Sequence, residues 1–197
     1  LEDADHWRMA GIHREVLLLY RPEIAISDFV VRTVLDKDYK DAKLWIRPAV
    51  SVPDGADVKG WTIKGCLYDA AGVVAADGMS ITVNEVILEK YPQRDNVHWP
   101  LMETVIANPA KWTAETPDLY TLVLSLEDPQ GNCVEARSCR VGFRDIRIKD
   151  QQLFVNGVPV KLYGVNRHDH SEFGGKSISR AEMEADIRLM KQFNFNS

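Results

Sequence analysis

Asn166-Arg167-His168-Asp169-His170 gathers an amide, a guanidinium, two imidazoles and a carboxylate into consecutive residues. Groups of these types donate to and accept from hydroxyls, and an imidazole can stabilise charge that develops in a transition state. Arg167 can pair with a carboxylate further along and fix its orientation. Asp169 and His170 suit the supporting role of groups that orient a reacting side chain. A lone histidine more often satisfies a loop carbonyl than acts on a ligand, so the elements on either side decide whether the cluster is a site.

Val158 to Tyr163 precedes the cluster as a short apolar run that reads as a strand. After a loop containing Gly174-Gly175, Ser179 followed by Glu182 forms a capping box, and Met183, Ile187 and Met190 recur at helical spacing with Leu189 beside them. The order is strand, polar loop, helix, and in a β/α barrel the C-terminal end of a strand is where the chemistry sits. A whole barrel needs about 250 residues, so Asp145 to Ser197 accounts for its first β/α unit. Phe193-Asn194-Phe195-Asn196-Ser197 lies where a second strand should begin.

Gly164-Val165-Asn166-Arg167-His168-Asp169-His170, then a capped helix and Asp186-Ile187-Arg188-Leu189-Met190-Lys191-Gln192-Phe193-Asn194-Phe195-Asn196, resembles the start of the catalytic barrel of glycoside hydrolase family 2 β-galactosidases. Leu1-Glu2-Asp3-Ala4-Asp5-His6-Trp7 through Val16 resembles the end of that family's sugar-binding jelly-roll domain. Val141-Gly142-Phe143-Arg144 resembles its junction between sandwich and barrel. The resemblance implies a retaining hydrolase of terminal β-D-galactosides such as lactose, with Mg2+ and Na+ for the whole enzyme and oligomeric assembly. By resemblance, His168 is a transition-state stabiliser, Arg167 a substrate-binding residue, and Asp5 a ligand of both galactose and sodium. The two catalytic carboxylates and the magnesium ligands are expected outside these residues, so the 197-residue chain alone is expected to be inactive. Asn84-Glu85, which matches the family's acid/base dipeptide, falls in a sandwich strand and is read as coincidence. Many relatives carry a further histidine where this chain has Ser171.

Ile12 to Tyr20 reads as a terminal strand that ends at Arg21-Pro22. Seven further strands are expected at Ile26–Leu35, Leu44–Val52, Trp61–Tyr68, Met79–Leu88, Leu101–Ala107, Tyr120–Leu126 and Cys133–Val141, with Gly, Pro, Asn and Asp breakers between them. The expected organisation is mainly β: residues 1–21 end a jelly-roll domain, 22–143 form an immunoglobulin-like sandwich, and 144–197 start a (β/α)8 barrel. Trp112 is read as packing for the loop that enters the Tyr120 strand rather than as a sugar platform. The run Glu89 to Asp95 is read as a solvated loop, and Cys133 and Cys139 as buried, reduced strand residues.

A net charge of −5 with interspersed signs gives no basic face for nucleic acid, and there is no apolar run long enough for a membrane helix. β-Glucuronidases and β-mannosidases share the architecture; the acidic N-terminal motif together with Asn-Arg-His-Asp-His favours the galactosidase branch. A stand-alone carbohydrate-binding or interaction sandwich is the reading from a different class. Against it, the strand at one end and the helix at the other would each leave an apolar face uncovered.

Overall fold

The computed structural model describes residues 11–88 and 102–197. Residues 21–160 form one compact unit; Lys161–Ser197, with the described chain before Arg21, forms another. The strand β6 (Tyr120–Glu127) shows how the larger unit is built. Its side chains alternate strictly, so Tyr120, Leu122, Leu124 and Leu126 point inward and are buried. The same alternation puts Leu44 and Ile46 of β2 (Ala42–Ser51), and Ile63 and Leu67 of β3 (Thr62–Tyr68), into one core. At about 1.5–3 kcal/mol for each fully buried large aliphatic side chain, this face-to-face packing holds the two sheets together.

One sheet runs β1 (Ala25–Leu35), β2, β5 (Met102–Ile106), and the other β4 (Val74–Thr82), β3, β6, β7 (Cys133–Val141); all their pairings are antiparallel. This is the expected immunoglobulin-like sandwich. Glu135 of β7 ties the sheets at one end: its carboxylate accepts the Ile26 amide at 2.7 Å, beside a β-bulge between Ile26 and Asp28. At the entry to β6, the Tyr120 hydroxyl accepts the Ala110 amide at 2.9 Å, and its ring meets Phe143 edge-on at 5.0 Å. Trp112 packs beside Gly142 with the Arg144 guanidinium 4.7 Å from its ring centre, as befits a packing residue.

Four expectations need correction. Met79–Leu88 is not one strand: β4 starts at Val74 and ends at Thr82, and α1 (Val83–Leu88) follows. Thr82 and Glu85 form a reciprocal cap in which the Glu85 amide donates to Thr82 Oγ1 at 3.2 Å and Glu85 Oε2 accepts the Thr82 amide at 2.9 Å. Asn84-Glu85 therefore lies in a helix, and the cap holds the Glu85 carboxyl below its ordinary range. Val158–Tyr163 is strand only over β10 (Val158–Val160), which closes an antiparallel meander with β8 (Ile146–Lys149) and β9 (Gln152–Val155). Its turns, Asp150-Gln151 and Asn156-Gly157, have positive φ at both residues, the conformation a two-residue hairpin requires. Ile12–Tyr20 is exposed and unpaired, because a strand needs a hydrogen-bonding neighbour and the described residues supply none. Cys133 is exposed at the start of β7, whereas Cys139 is half-buried, and burial pushes its thiol up. Asp5, the run Glu89–Asp95 and Leu101 lie outside the described residues.

The second unit contains α2 (Arg180–Gln192), capped by Ser179 and Glu182 as expected. None of its side chains is fully buried; Met183 and Met190 are half-covered and Ile187 is exposed. Beyond α2 the chain returns to the segment after β10. The Ser197 amide donates to the Tyr163 carbonyl at 3.3 Å and the Val165 amide to the Ser197 carbonyl at 3.2 Å. Bonds that flank Gly164 in this way are those of a parallel pair, the pairing that a β/α/β crossover makes. A side chain at Gly164 would place its Cβ 2.8 Å from the Ser197 carbonyl oxygen, so glycine permits the approach. Asn196 secures the turn by accepting the Tyr163 amide at 2.8 Å and donating to the Lys161 carbonyl at 2.9 Å.

Candidate functional site

The polar loop leaves this parallel pairing in a conformation that is neither helix nor turn as far as His170, and its burial alternates. Asn166, His168 and His170 are exposed; Arg167 and Asp169 are half-covered and Ser171 is buried. An extended chain sends successive side chains to opposite sides. The loop thus presents its amide and both imidazoles on one side, and on the other three residues with partners elsewhere in the unit.

Those partners are specific. Arg167 Nε donates to Asp186 Oδ2 of α2 at 2.8 Å, and its Nη1 donates to Asp169. The two carboxylates hold the guanidinium charge firmly and raise its pKa further above an already basic value, Asp169 contributing most. Arg167 in turn keeps the Asp169 carboxyl below its usual range. Asp169 also receives Arg14 Nη2 at 3.0 Å. Ser171 starts a tight loop: its amide donates to the Gly175 carbonyl at 2.7 Å, the Gly175 amide returns to its carbonyl at 3.0 Å, and the Gly174 amide donates to its Oγ at 3.2 Å. The Ser171 side chain also hydrogen-bonds Glu182, the helix-capping carboxylate.

The sequence-derived site residues therefore divide. His168, Asn166 and His170 lie together on the exposed side. Arg167 and Asp169 face their charged partners, so the Arg167 guanidinium is committed to two carboxylates. Asp5 lies outside the described residues. Ser171, Asp186 and Arg14 were not singled out as parts of the site. Of these only Ser171 carried a local signal: the odd-numbered positions of an extended run share a side, which groups it with Arg167 and Asp169.

Glu182 is the most perturbed carboxyl of the site, brought down to about 2 by hydrogen bonds from Ser171 and then Ser179. A carboxyl depressed in the folded state stabilises it above the ordinary value of 4.5, and that contribution is lost as pH falls from there towards 2. In a 13C NMR titration the Glu182 carboxyl carbon should show a midpoint near 2, and Ser171→Ala should move it upward. A wild-type midpoint above 4 would mean that the Ser171 and Ser179 side chains do not hold the carboxylate.

The family model for glycosyl hydrolases family 2 matches residues 24–144, and that for the TIM barrel domain of glycosyl hydrolases family 2 matches 146–197. Among similar proteins, the β-galactosidase of Pseudoalteromonas haloplanktis is 39% identical over 197 residues, and that of Priestia megaterium 40% identical over 203 residues. The β-galactosidase of Aeromonas hydrophila is 41% identical over 197 residues. Each match takes in 100% of this chain and 18% of the relative, so the chain spans under a fifth of the length of these curated relatives. Among solved structures, Parabacteroides merdae β-glucuronidase superposes with a TM-score of 0.69 at 23% identity, covering 90% of this chain and 21% of that one. The Ruminococcus gnavus β-glucuronidase complex with D-glucuronic acid gives 0.67 at 20% identity, covering 89% of this chain and 26% of that one. These structures share the fold: an immunoglobulin-like sandwich followed by the start of a (β/α)8 barrel.

Proposed function

Since the chain belongs to glycosyl hydrolases family 2, we propose that it is the sandwich and barrel-opening part of a retaining β-galactosidase acting on terminal, non-reducing β-D-galactose. The observation that carries this is the identity of 39–41% to these β-galactosidases over matches that take in the whole chain. In this reading His168, on the exposed side of the loop, donates to a sugar hydroxyl and stabilises the oxocarbenium-like transition state. Arg167 supports the loop through Asp169 and Asp186 rather than gripping sugar.

A retaining glycosidase needs one carboxyl with a raised pKa to protonate the leaving group and a second carboxylate as nucleophile. The carboxylates around this loop serve as anchors: Asp169 and Asp186 bond Arg167, and Glu182 caps α2. Asp169 and Glu182 are held low by hydrogen bonds, and a carboxyl held low also cannot serve as the acid. The reading therefore places the catalytic pair on other strands of the barrel, and the 197 residues alone turn over no galactoside. Among the described residues no three His, Cys, Asp or Glu side chains converge as a metal site would need. No step is therefore routed through Mg2+ or Na+. Asp5 as a ligand of galactose and sodium rests on the family resemblance.

The test is a chimaera in which these 197 residues replace the matching stretch of the Pseudoalteromonas haloplanktis β-galactosidase. It should hydrolyse p-nitrophenyl β-D-galactoside in preference to the glucuronide and the mannoside. A folded chimaera with no galactosidase activity, or one that prefers the glucuronide, would sink the reading.

A further inference from the structure

Arg14 is distant from the site loop in sequence and bonded to it in structure. Its Nη2 donates to Asp169 Oδ2 at 3.0 Å and its Nη1 to the Lys176 carbonyl at 2.9 Å, residues 155 and 162 positions away. Between these two acceptors the chain doubles back through the reciprocal Ser171 and Gly175 bonds, and just beyond them the Ser177 amide donates to the Gly174 carbonyl at 3.0 Å. One planar guanidinium therefore spans both arms of the loop, and the first arm carries His168. Asp169 is shared between Arg14 and Arg167, and Arg167 reaches Asp186, so an unbroken series of charged groups runs from the segment before the sandwich to α2.

We infer that Arg14 is a positioning residue for His168: it staples the two arms of the loop and so sets where the imidazole stands against the sugar. This rests on the loop being the substrate-facing element. The Arg14–Asp169 pair is nearly half exposed on both sides, 43% and 44%, and such a pair does little for global stability. Its effect is on geometry, where a displacement of a fraction of an ångström lowers the rate. The two bonds use different terminal nitrogens of one rigid fork. A lysine ammonium is a single point charge and would restore the attraction to Asp169 without spanning to the Lys176 carbonyl.

In the active chimaera, Arg14→Met and Arg14→Lys should each lower kcat by about tenfold, with KM and the urea midpoint little changed. In the 197-residue chain, Arg14→Met should raise the hydrogen-exchange rates of the Ser171 and Gly175 amides several-fold. Full recovery of kcat in Arg14→Lys would overturn the staple in favour of a simple charge effect. Unchanged exchange in Arg14→Met would overturn it directly. A parent chimaera without activity counts against the galactosidase reading, and the exchange measurement still decides the role of Arg14.

Discussion

In the active chimaera, His168→Ala is expected to lower kcat/KM for a β-galactoside by about 10²–10³-fold, the usual cost of removing one preorganised donor aimed at developing charge. The loss should fall mainly on kcat, because a bond that strengthens in the transition state contributes little to ground-state binding. The fold should be unaffected, since His168 is exposed and Arg167, Asp169 and Ser171 keep their own bonds to the rest of the unit. Steady-state kinetics beside a urea melt separates the two. A change of less than about twofold, with the melt unaltered, would deny His168 its role and leave the loop as scaffold.

The largest effect on stability is expected at Phe143. Its side chain is fully buried, its ring meets Tyr120 edge-on, and its carbonyl accepts the Trp112 amide at 2.9 Å. Phe143→Ala removes a whole ring from the point where β6, β7 and the Trp112 loop converge, and should cost about 3–5 kcal/mol. Equilibrium urea unfolding followed by tryptophan fluorescence would show a lower midpoint with an unchanged slope. A loss under about 1 kcal/mol would mean that Tyr120 and Trp112 collapse into the space, and that the cluster is less tightly packed than its burial implies.

Much of the sandwich was legible because its turns are chemically explicit. Asp128-Pro129-Gln130-Gly131-Asn132 and Ala71-Gly72 mark strand ends, and the Leu122, Leu124, Leu126 alternation marks a face. α1 is hard to read because Val83, Val86 and Ile87 favour strands by composition, and only the Thr82–Glu85 cap, the same motif that Ser179 and Glu182 make at α2, overrides them. In β8, Ile146 and Ile148 alternate with charges yet stay exposed, so their pattern signals pairing without burial and does not mark a separate sheet. At the site, the residue types of the loop and the cap of α2 could be read directly. The direction each side chain takes could not, because it depends on which partner waits on each side. Nothing near Asp169 in sequence announces Arg14, since a contact across 155 positions exists only once the chain has folded.

The alternating burial of the loop also bears on how such a protein can change. Positions 166, 168 and 170 face outward, while 167, 169 and 171 hold the backbone to α2 and to Arg14. In the proposed function, chemistry and anchorage are thus interleaved along one short stretch. With the loop facing the sugar as proposed, substitutions at positions 166 and 170 change what it presents while Arg167, Asp169 and Ser171 keep their bonds, so ligand preference can drift one residue at a time on a fixed scaffold.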